Sequence, residues 1–327
     1  MDRTNFLEQQ WDYLVILDAC RFDYFKKNYA DYLEGELKKV KSLGSCTDEW
    51  RDKTFTARYD DIVYISSNPH ISSDQTVTGF LGGDHFHQVH DIWKKGWDHT
   101  RGTVLPETVN AAAKQIIPRA KGKRVIIHYL QPHAPYLALP DDTKGFANPN
   151  ENIQSFLKGM AQDIKTGKRR NIIIRKLLPW FKKNMILGDH PEWMLRQFLC
   201  LPPKTPMDAV RRKYGVKGLR RAYEMNLKKV LEEVKNLLPC LSGKVVVTAD
   251  HGEFLGENRC FTHTPESENP LLVDVPWLVT KGGGSGADLD AEHSQDWEKT
   301  PSSETAETKS AEDEQLADKL RALGYMD

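Results

Sequence analysis

Apolar residues fall into short runs along the chain, divided by polar stretches. Five runs are strand-sized and rich in β-branched or aromatic residues: Tyr13–Leu17, Ile62–Ile65, Val125–Tyr129, Val245–Thr248 and Trp277–Thr280. Helical patterns separate them. Thr108–Ile117 is one. Lys217–Leu238 is the clearest, with Leu219, Tyr223, Leu227, Val230, Leu231 and Val234 at helical spacing. Strands alternating with helices predict an α/β fold, with a mostly parallel central sheet covered by helices on both faces. In such sheets ligands bind beyond the carboxyl ends of the strands. The residues that follow each strand are therefore where chemistry is expected.

Asp18-Ala19-Cys20-Arg21 follows the first run. Gln131-Pro132-His133-Ala134-Pro135 follows Val125–Tyr129, and Asp250-His251-Gly252-Glu253 follows Val245–Thr248. Hard oxygen ligands and imidazoles converging on one rim are what a divalent metal site requires. Asp250 and His251 are adjacent, so both reach one ion only if the chain turns at once, which Gly252 permits. A solvated turn is the plainer reading of that stretch, and a helix N-cap is the plainer reading of Asp18. His128 reads as a core histidine. His133 sits in a proline-bounded loop, and His263 follows His251 by twelve residues. The remaining histidines, His70 among them, read as solvated. Ser45-Cys46-Thr47 offers three nucleophiles in a row, or simply a helix start, and a metal ion lowers the pKa of a hydroxyl it binds.

Charge changes the picture in three places. The 327 residues balance 46 basic against 46 acidic side chains, which removes the case for global nucleic-acid binding. The 158–184 and 211–229 stretches are strongly basic. Ile172–Lys183 mixes basic and apolar residues, and reads either as ordinary helix with snorkelling Lys and Arg or as a segment lying on an anionic membrane. After Gly282-Gly283-Gly284 the chain turns acidic. Residues 282–314 are expected to be a flexible linker and 315–327 a short helix, leaving 1–281 as the catalytic domain with a helical insertion at about 137–215. No apolar run approaches the ~18 residues of a membrane span. Five scattered Cys without CxxC spacing, and an N-terminus without an apolar signal core, predict a cytoplasmic location.

With these motifs in order, the chain resembles the alkaline phosphatase superfamily, and within it the sulfatase-like branch. The matching stretches are Leu14–Arg21, Gly44–Trp50, His128–Tyr136 and Thr248–Glu257, with softer matches at Tyr223–Val230 and Leu271–Leu278. The resemblance implies a three-layer sandwich. It implies that Asp18, Thr47, Asp250 and His251 hold a divalent ion such as Zn²⁺, Mn²⁺, Mg²⁺ or Ca²⁺, one or two per site. It implies Thr47 as nucleophile, with Arg21, His133 and His263 contacting the anion or the leaving group; His263 is alternatively a metal ligand.

The departures from the family narrow the reading. Type I sulfatases need Cys-x-Pro/Ala-x-Arg to form formylglycine, and here Asp48 and Trp50 break that pattern after Cys46. Ala19 stands where sulfatases commonly pair a second Asp with the first. No Asp-x-x-x-His lies between Leu130 and Val245. A single-metal site like that of phosphoglycerol or phosphoethanolamine transferases fits better. The activity implied is cleavage of a phosphate or sulfate ester by a metal-dependent hydrolase or transferase, on a small-molecule, glycan or lipid-linked substrate. A sulfatase working through an unmodified residue, a phosphosugar mutase and a non-catalytic binding module are the rivals. The oligomeric state is left open.

Overall fold

The structure is a computed structural model that describes residues 3–139, 149–150 and 190–283. All of these lie in one unit, Met1–Ala291. The Ile172–Lys183 stretch, the 284–314 part of the acidic linker and the 315–327 helix expected from sequence lie outside the described residues.

Seven strands form the central sheet: β1 (Tyr13–Leu17), β2 (Glu36–Lys41), β3 (Tyr59–Ser66), β4 (Phe86–Asp91), β7 (Arg124–Tyr129), β8 (Lys244–Thr248) and β11 (Asp274–Lys281). Two-stranded ribbons are made by β5 (Trp97–Asp98) with β6 (Thr103–Val104), and by β9 (Phe254–Leu255) with β10 (Phe261–Thr262). The order across the main sheet is β2-β11-β8-β1-β7-β3-β4. β8, β1, β7, β3 and β4 run parallel, whereas β11 is antiparallel to both of its neighbours. All five apolar runs fall inside strands. The central ones are the core: Val15, Ile16, Ile126, Ile127, Val246 and Val247 have no exposed surface. Buried on both faces, they read as continuous rather than alternating apolar sequence.

The helix expected from Thr108 runs Pro106–Ile116, opened by proline in its first turn, where a missing N–H costs nothing. The long helix is Pro206–Leu237 and begins well before the expected Lys217. Thr205 caps it, its side chain accepting from the Asp208 N–H. Gly215, at φ 68° and ψ −179°, breaks its regularity, which is why the sequence pattern is clean only beyond that point. Leu219, Tyr223, Leu227, Val230, Leu231 and Val234 are all buried by it, as the spacing requires.

The parallel strands aim their carboxyl ends at one rim. Asp18 leaves β1, Asp250 and His251 leave β8, and His133 lies beyond β7. The chain beyond β3 brings Ser67, Asn68 and His70 to the same rim, and the Ser67 N–H donates to the His128 carbonyl at 3.1 Å.

Candidate active site

The turn after β1 is built by contacts from distant elements. Ala19 takes a left-handed φ of 55°, a conformation costly for a residue with a Cβ. Its N–H donates to Asp250 Oδ1 at 3.0 Å, and its carbonyl accepts from the Tyr223 hydroxyl at 2.7 Å. The same hydroxyl accepts the Arg21 N–H at 2.9 Å. The long helix therefore holds the first strand's turn against the Asp250 loop.

Gly252 is needed for a reason other than a turn. A Cβ there would lie 2.1 Å from the Leu271 carbonyl oxygen, and the Gly252 N–H donates to the Leu272 carbonyl at 2.7 Å. Close backbone approach, not a positive φ, excludes a side chain.

Thr47 opens the helix Thr47–Thr54 and is 6% exposed. Its hydroxyl Oγ1 lies 2.9 Å from Asp250 Oδ2, to which it donates, and 3.2 Å from His251 Nε2. His251 Nε2 is in turn 3.4 Å from Asp250 Oδ2 and 3.9 Å from Asp18 Oδ1. His251 Nδ1 donates to the Gly252 carbonyl at 2.7 Å, so in the neutral ring Nε2 carries the lone pair. Burial, reinforced by His263, keeps this ring neutral, well below the usual histidine range. The four residues expected around a metal ion are thus brought together.

The donor set fits a divalent cation. Burial pushes the Asp18 carboxyl well up, and the nearby Asp250 and Glu253 carboxylates push it further. Such crowding of buried carboxylates is what a bound cation relieves. Asp18, His128 and Asp250 each place a ligand atom within 4.8 Å of one another. His128 Nε2 is buried without a hydrogen-bond partner, while its Nδ1 lies 2.8 Å from the Tyr64 hydroxyl. His128 is therefore more than a satisfied core residue.

A second cluster adjoins the first. His133, Glu253 and His263 also bring ligand atoms within 4.8 Å of one another. Glu253 is fully buried, and neither carboxylate oxygen has a hydrogen-bond partner. His133 Nε2 and His263 Nδ1 both stand 3.6 Å from its Oε1. Burial works against ionisation of Glu253, but the adjacent His133 and His263 outweigh it and hold its carboxyl below the usual range. The His251 and His263 rings are 4.4 Å apart, so the two clusters touch.

Both clusters open into a cavity of about 660 Å³, lined by Asp18, Thr47, His133, Glu253 and His263 among others. Arg21 does not line it. Its guanidinium, 4% exposed, donates to both Asp23 oxygens, to Glu257 Oε1 at 2.8 Å and to the Glu253 carbonyl at 3.3 Å. Arg21 fastens the loop beneath the site, and the anion contact expected of it is not what the structure builds. Of the other hydroxyl and thiol candidates, Ser45 is engaged by Glu49 Oε2 and the Thr264 carbonyl, each at 2.8 Å. Burial pushes the Cys46 thiol up to about 11.

Glu253, Asn68 and His70 were not assigned roles from sequence. Glu253 was legible as the last residue of Asp-His-Gly-Glu. Asn68 donates to Asp18 Oδ2 at 2.6 Å and follows β3, at the carboxyl end of a parallel strand where ligands are expected.

No protein-family model matches the sequence, and no curated protein matches it. Solved structures similar to it are phosphoethanolamine transferases and sulfatases. The integral membrane lipooligosaccharide phosphoethanolamine transferase A from Neisseria meningitidis aligns at 12% identity and TM-score 0.47, over 83% of this chain and 47% of its own. The zinc complex of the C-terminal periplasmic domain of EptC from Escherichia coli aligns at 10% identity and TM-score 0.47, over 84% and 74%. A putative sulfatase from Bacteroides thetaiotaomicron aligns at 13% identity and TM-score 0.45, over 84% and 65%. The chain spans about half the length of the Neisseria transferase.

These neighbours correct one expectation. Several are C-terminal periplasmic domains, against the cytoplasmic location expected from sequence, and that expectation is withdrawn. All five cysteines are free.

Proposed function

We propose that this chain is a metal-dependent enzyme that cleaves or transfers a phosphate ester through Thr47. The observation that carries the reading is the position of Thr47 Oγ1, 2.9 Å from Asp250 Oδ2 and 3.2 Å from His251 Nε2 at the floor of the cavity. Asp18, Thr47, Asp250 and His251 would hold the ion. The ion supplies a lowered hydroxyl pKa and positive charge beside the phosphoryl group.

The residues do the rest. Thr47 Oγ attacks phosphorus, and its proton passes to Asp250, its hydrogen-bond partner. The Oγ–P bond forms as the bond from phosphorus to the leaving oxygen breaks. His133 or His263 gives a proton to that oxygen. Water or an alcohol then attacks phospho-Thr47 and returns a proton to the same histidine, the bond from phosphorus to Oγ breaks, and Asp250 gives its proton back to Thr47 Oγ. The acceptor decides between hydrolysis and transfer. The neighbours are similar in fold to this chain and include transferases of phosphoethanolamine to lipooligosaccharide, which supports a glycan or lipid-linked ester as substrate.

The test is metal content alongside turnover of p-nitrophenyl phosphate, its bis ester and p-nitrophenyl sulfate. Bound metal is expected, with turnover of a phosphate ester lost in Thr47→Ala. Turnover that survives in Thr47→Ala would remove Thr47 from the chemistry. Preference for the sulfate ester would turn the reading to a sulfatase.

A further inference from the structure

Three of the four residues assigned to the ion, Asp18, Asp250 and His251, follow the ends of β1 and β8. The neighbour of β1 on its other side is β7, and none of the four comes from it. Strand register nonetheless carries β7 to the same place. Ile16 of β1 pairs with His128 of β7 and with Thr248 of β8. Side chains alternate between the faces of a sheet, so Asp18, two residues past Ile16, falls on the face of His128. Asp250, two residues past Thr248, falls on that face as well. The Asp18 N–H donates to the Tyr129 carbonyl at 3.1 Å, so the ladder between β1 and β7 continues as far as Asp18.

The contacts around His128 agree with this placement. The residue has no exposed surface, and its ring is packed against Trp50 and Tyr64. Nδ1 lies 2.8 Å from the Tyr64 hydroxyl. Nε2 has no hydrogen-bond partner and stands 3.9 Å from Asp18 Oδ2, beyond hydrogen-bond reach. Buried nitrogens are seldom left in that state. A ligating imidazole characteristically engages its second nitrogen with a neighbouring oxygen, which fixes the ring and leaves the first nitrogen for the ion. Two atoms bound to one zinc-sized ion, each about 2.1 Å from it, lie at most about 4.2 Å apart. The distance from Nε2 to Asp18 falls inside that limit.

We propose that His128 is a further ligand of the ion through Nε2, with Tyr64 as the residue that positions it. With Nε2 on the ion, Nδ1 carries the ring hydrogen and donates to the Tyr64 hydroxyl. This deepens the Thr47 reading and rests on the ion assigned there. A purely structural histidine, packed under Trp50 and stapling β7 to β3 through Tyr64, would keep the same hydrogen bond and never touch metal.

The probe is cadmium alone. Full-length protein labelled with ¹⁵N histidine is loaded with ¹¹³Cd²⁺, and the ring nitrogens are assigned residue by residue. Nε2 of His128 is expected to split by coupling to the metal, as is Nε2 of His251. Splitting at His251 and none at His128 overturns this proposal and leaves the ion in place. Splitting at neither takes the ion away from this site, and the reading beneath the proposal falls with it. Two variants give a second readout, Zn²⁺ affinity in competition with a chelator. His128→Asn keeps an amide near Tyr64 but has no atom in the place of Nε2. It is expected to match the metal-free wild type in melting temperature and to hold Zn²⁺ on the order of a hundredfold more weakly. Tyr64→Phe is expected to lose about tenfold. Unchanged Zn²⁺ affinity in His128→Asn overturns the assignment, and unchanged affinity in Tyr64→Phe removes Tyr64 from the positioning role. If His128→Asn does not fold, the cadmium spectrum of the wild type decides.

Discussion

At the scale of single residues, the site is a balance of buried charges. Asp18 and Glu253 are driven in opposite directions by what lies beside them, other carboxylates in one case and imidazoles in the other. Glu49 shows the same logic at the rim. Burial works against its charge, but Lys53 and the Ser45 N–H and hydroxyl bring it from 4.5 down to about 2. A carboxyl lowered on folding gives stability that is fully present above its unfolded value and fades as it takes up a proton. Wild type is therefore expected to lose stability as pH falls from about 4.5 toward 2. Glu49→Gln should flatten that part of the curve, and denaturant melts across the range read it directly. A curve in Glu49→Gln as steep as wild type would remove Glu49 from the acid response. Ala19 makes a second residue-scale case. Its left-handed backbone suits glycine, so Ala19→Gly should be neutral or raise stability by up to about 1 kcal/mol. A clear fall in denaturation midpoint would mean that the methyl group matters more than the strain.

At the scale of elements, legibility followed burial. β1, β7 and β8 are interior strands, and their sequences are unbroken apolar runs that announce themselves. β2 and β4 are edge strands. Glu36, Lys38, Lys39 and Lys41 in β2 give no apolar run, and charge on an edge protects it from unwanted pairing. The parallel-sheet rule reached Asp18, Asp250 and His251 because they directly follow readable strands. It does not reach His70, which stands five residues beyond the apolar run Ile62–Ile65. It misplaced Arg21 because adjacency to Asp18 says nothing of where a long side chain turns, and Glu257, which holds it, is distant in sequence. Gly252 was legible as a turn, but the neighbour that forbids a side chain, Leu271, is a tertiary fact. Gly252→Ala should drive the 269–273 segment away from the metal cluster. The expected result is weaker retention of metal against a chelator together with a lower melting temperature. Retention equal to wild type would show that the Asp250–His251 turn does not depend on this contact.

At the scale of the whole molecule, the parallel core and the metal cluster are coupled. The proposed ligands would come from the ends of β1 and β8 and from the helix Thr47–Thr54, so an ion there would tie three segments together. Metal bound only to the folded state stabilises it by about 2.7 kcal/mol at a hundredfold excess over Kd. Stripping metal is expected to lower the melting temperature, and titrating it back should restore it in a concentration-dependent way. A melting temperature indifferent to metal would mean that no ion bridges these segments. Core truncation is a different perturbation: Ile127→Ala, fully buried in β7, should cost about 2–5 kcal/mol whether or not metal is present. Comparing the two by denaturant titration separates loss of core from loss of the ion.

The antiparallel strand β11 carries a consequence for biosynthesis. β2 joins the sheet only through β11, among the described residues, and Thr47 follows β2 by a short loop. On the ribosome, β1, β7 and β8 are all made before β11, and they can bring Asp18, Asp250 and His251 into register without it. The strand that precedes Thr47 emerges early yet gains its sheet partner only once Asp274–Lys281 has been synthesised. A nascent chain stalled before Asp274 would leave β2 unpaired, so that edge of the sheet is completed as a late event in synthesis.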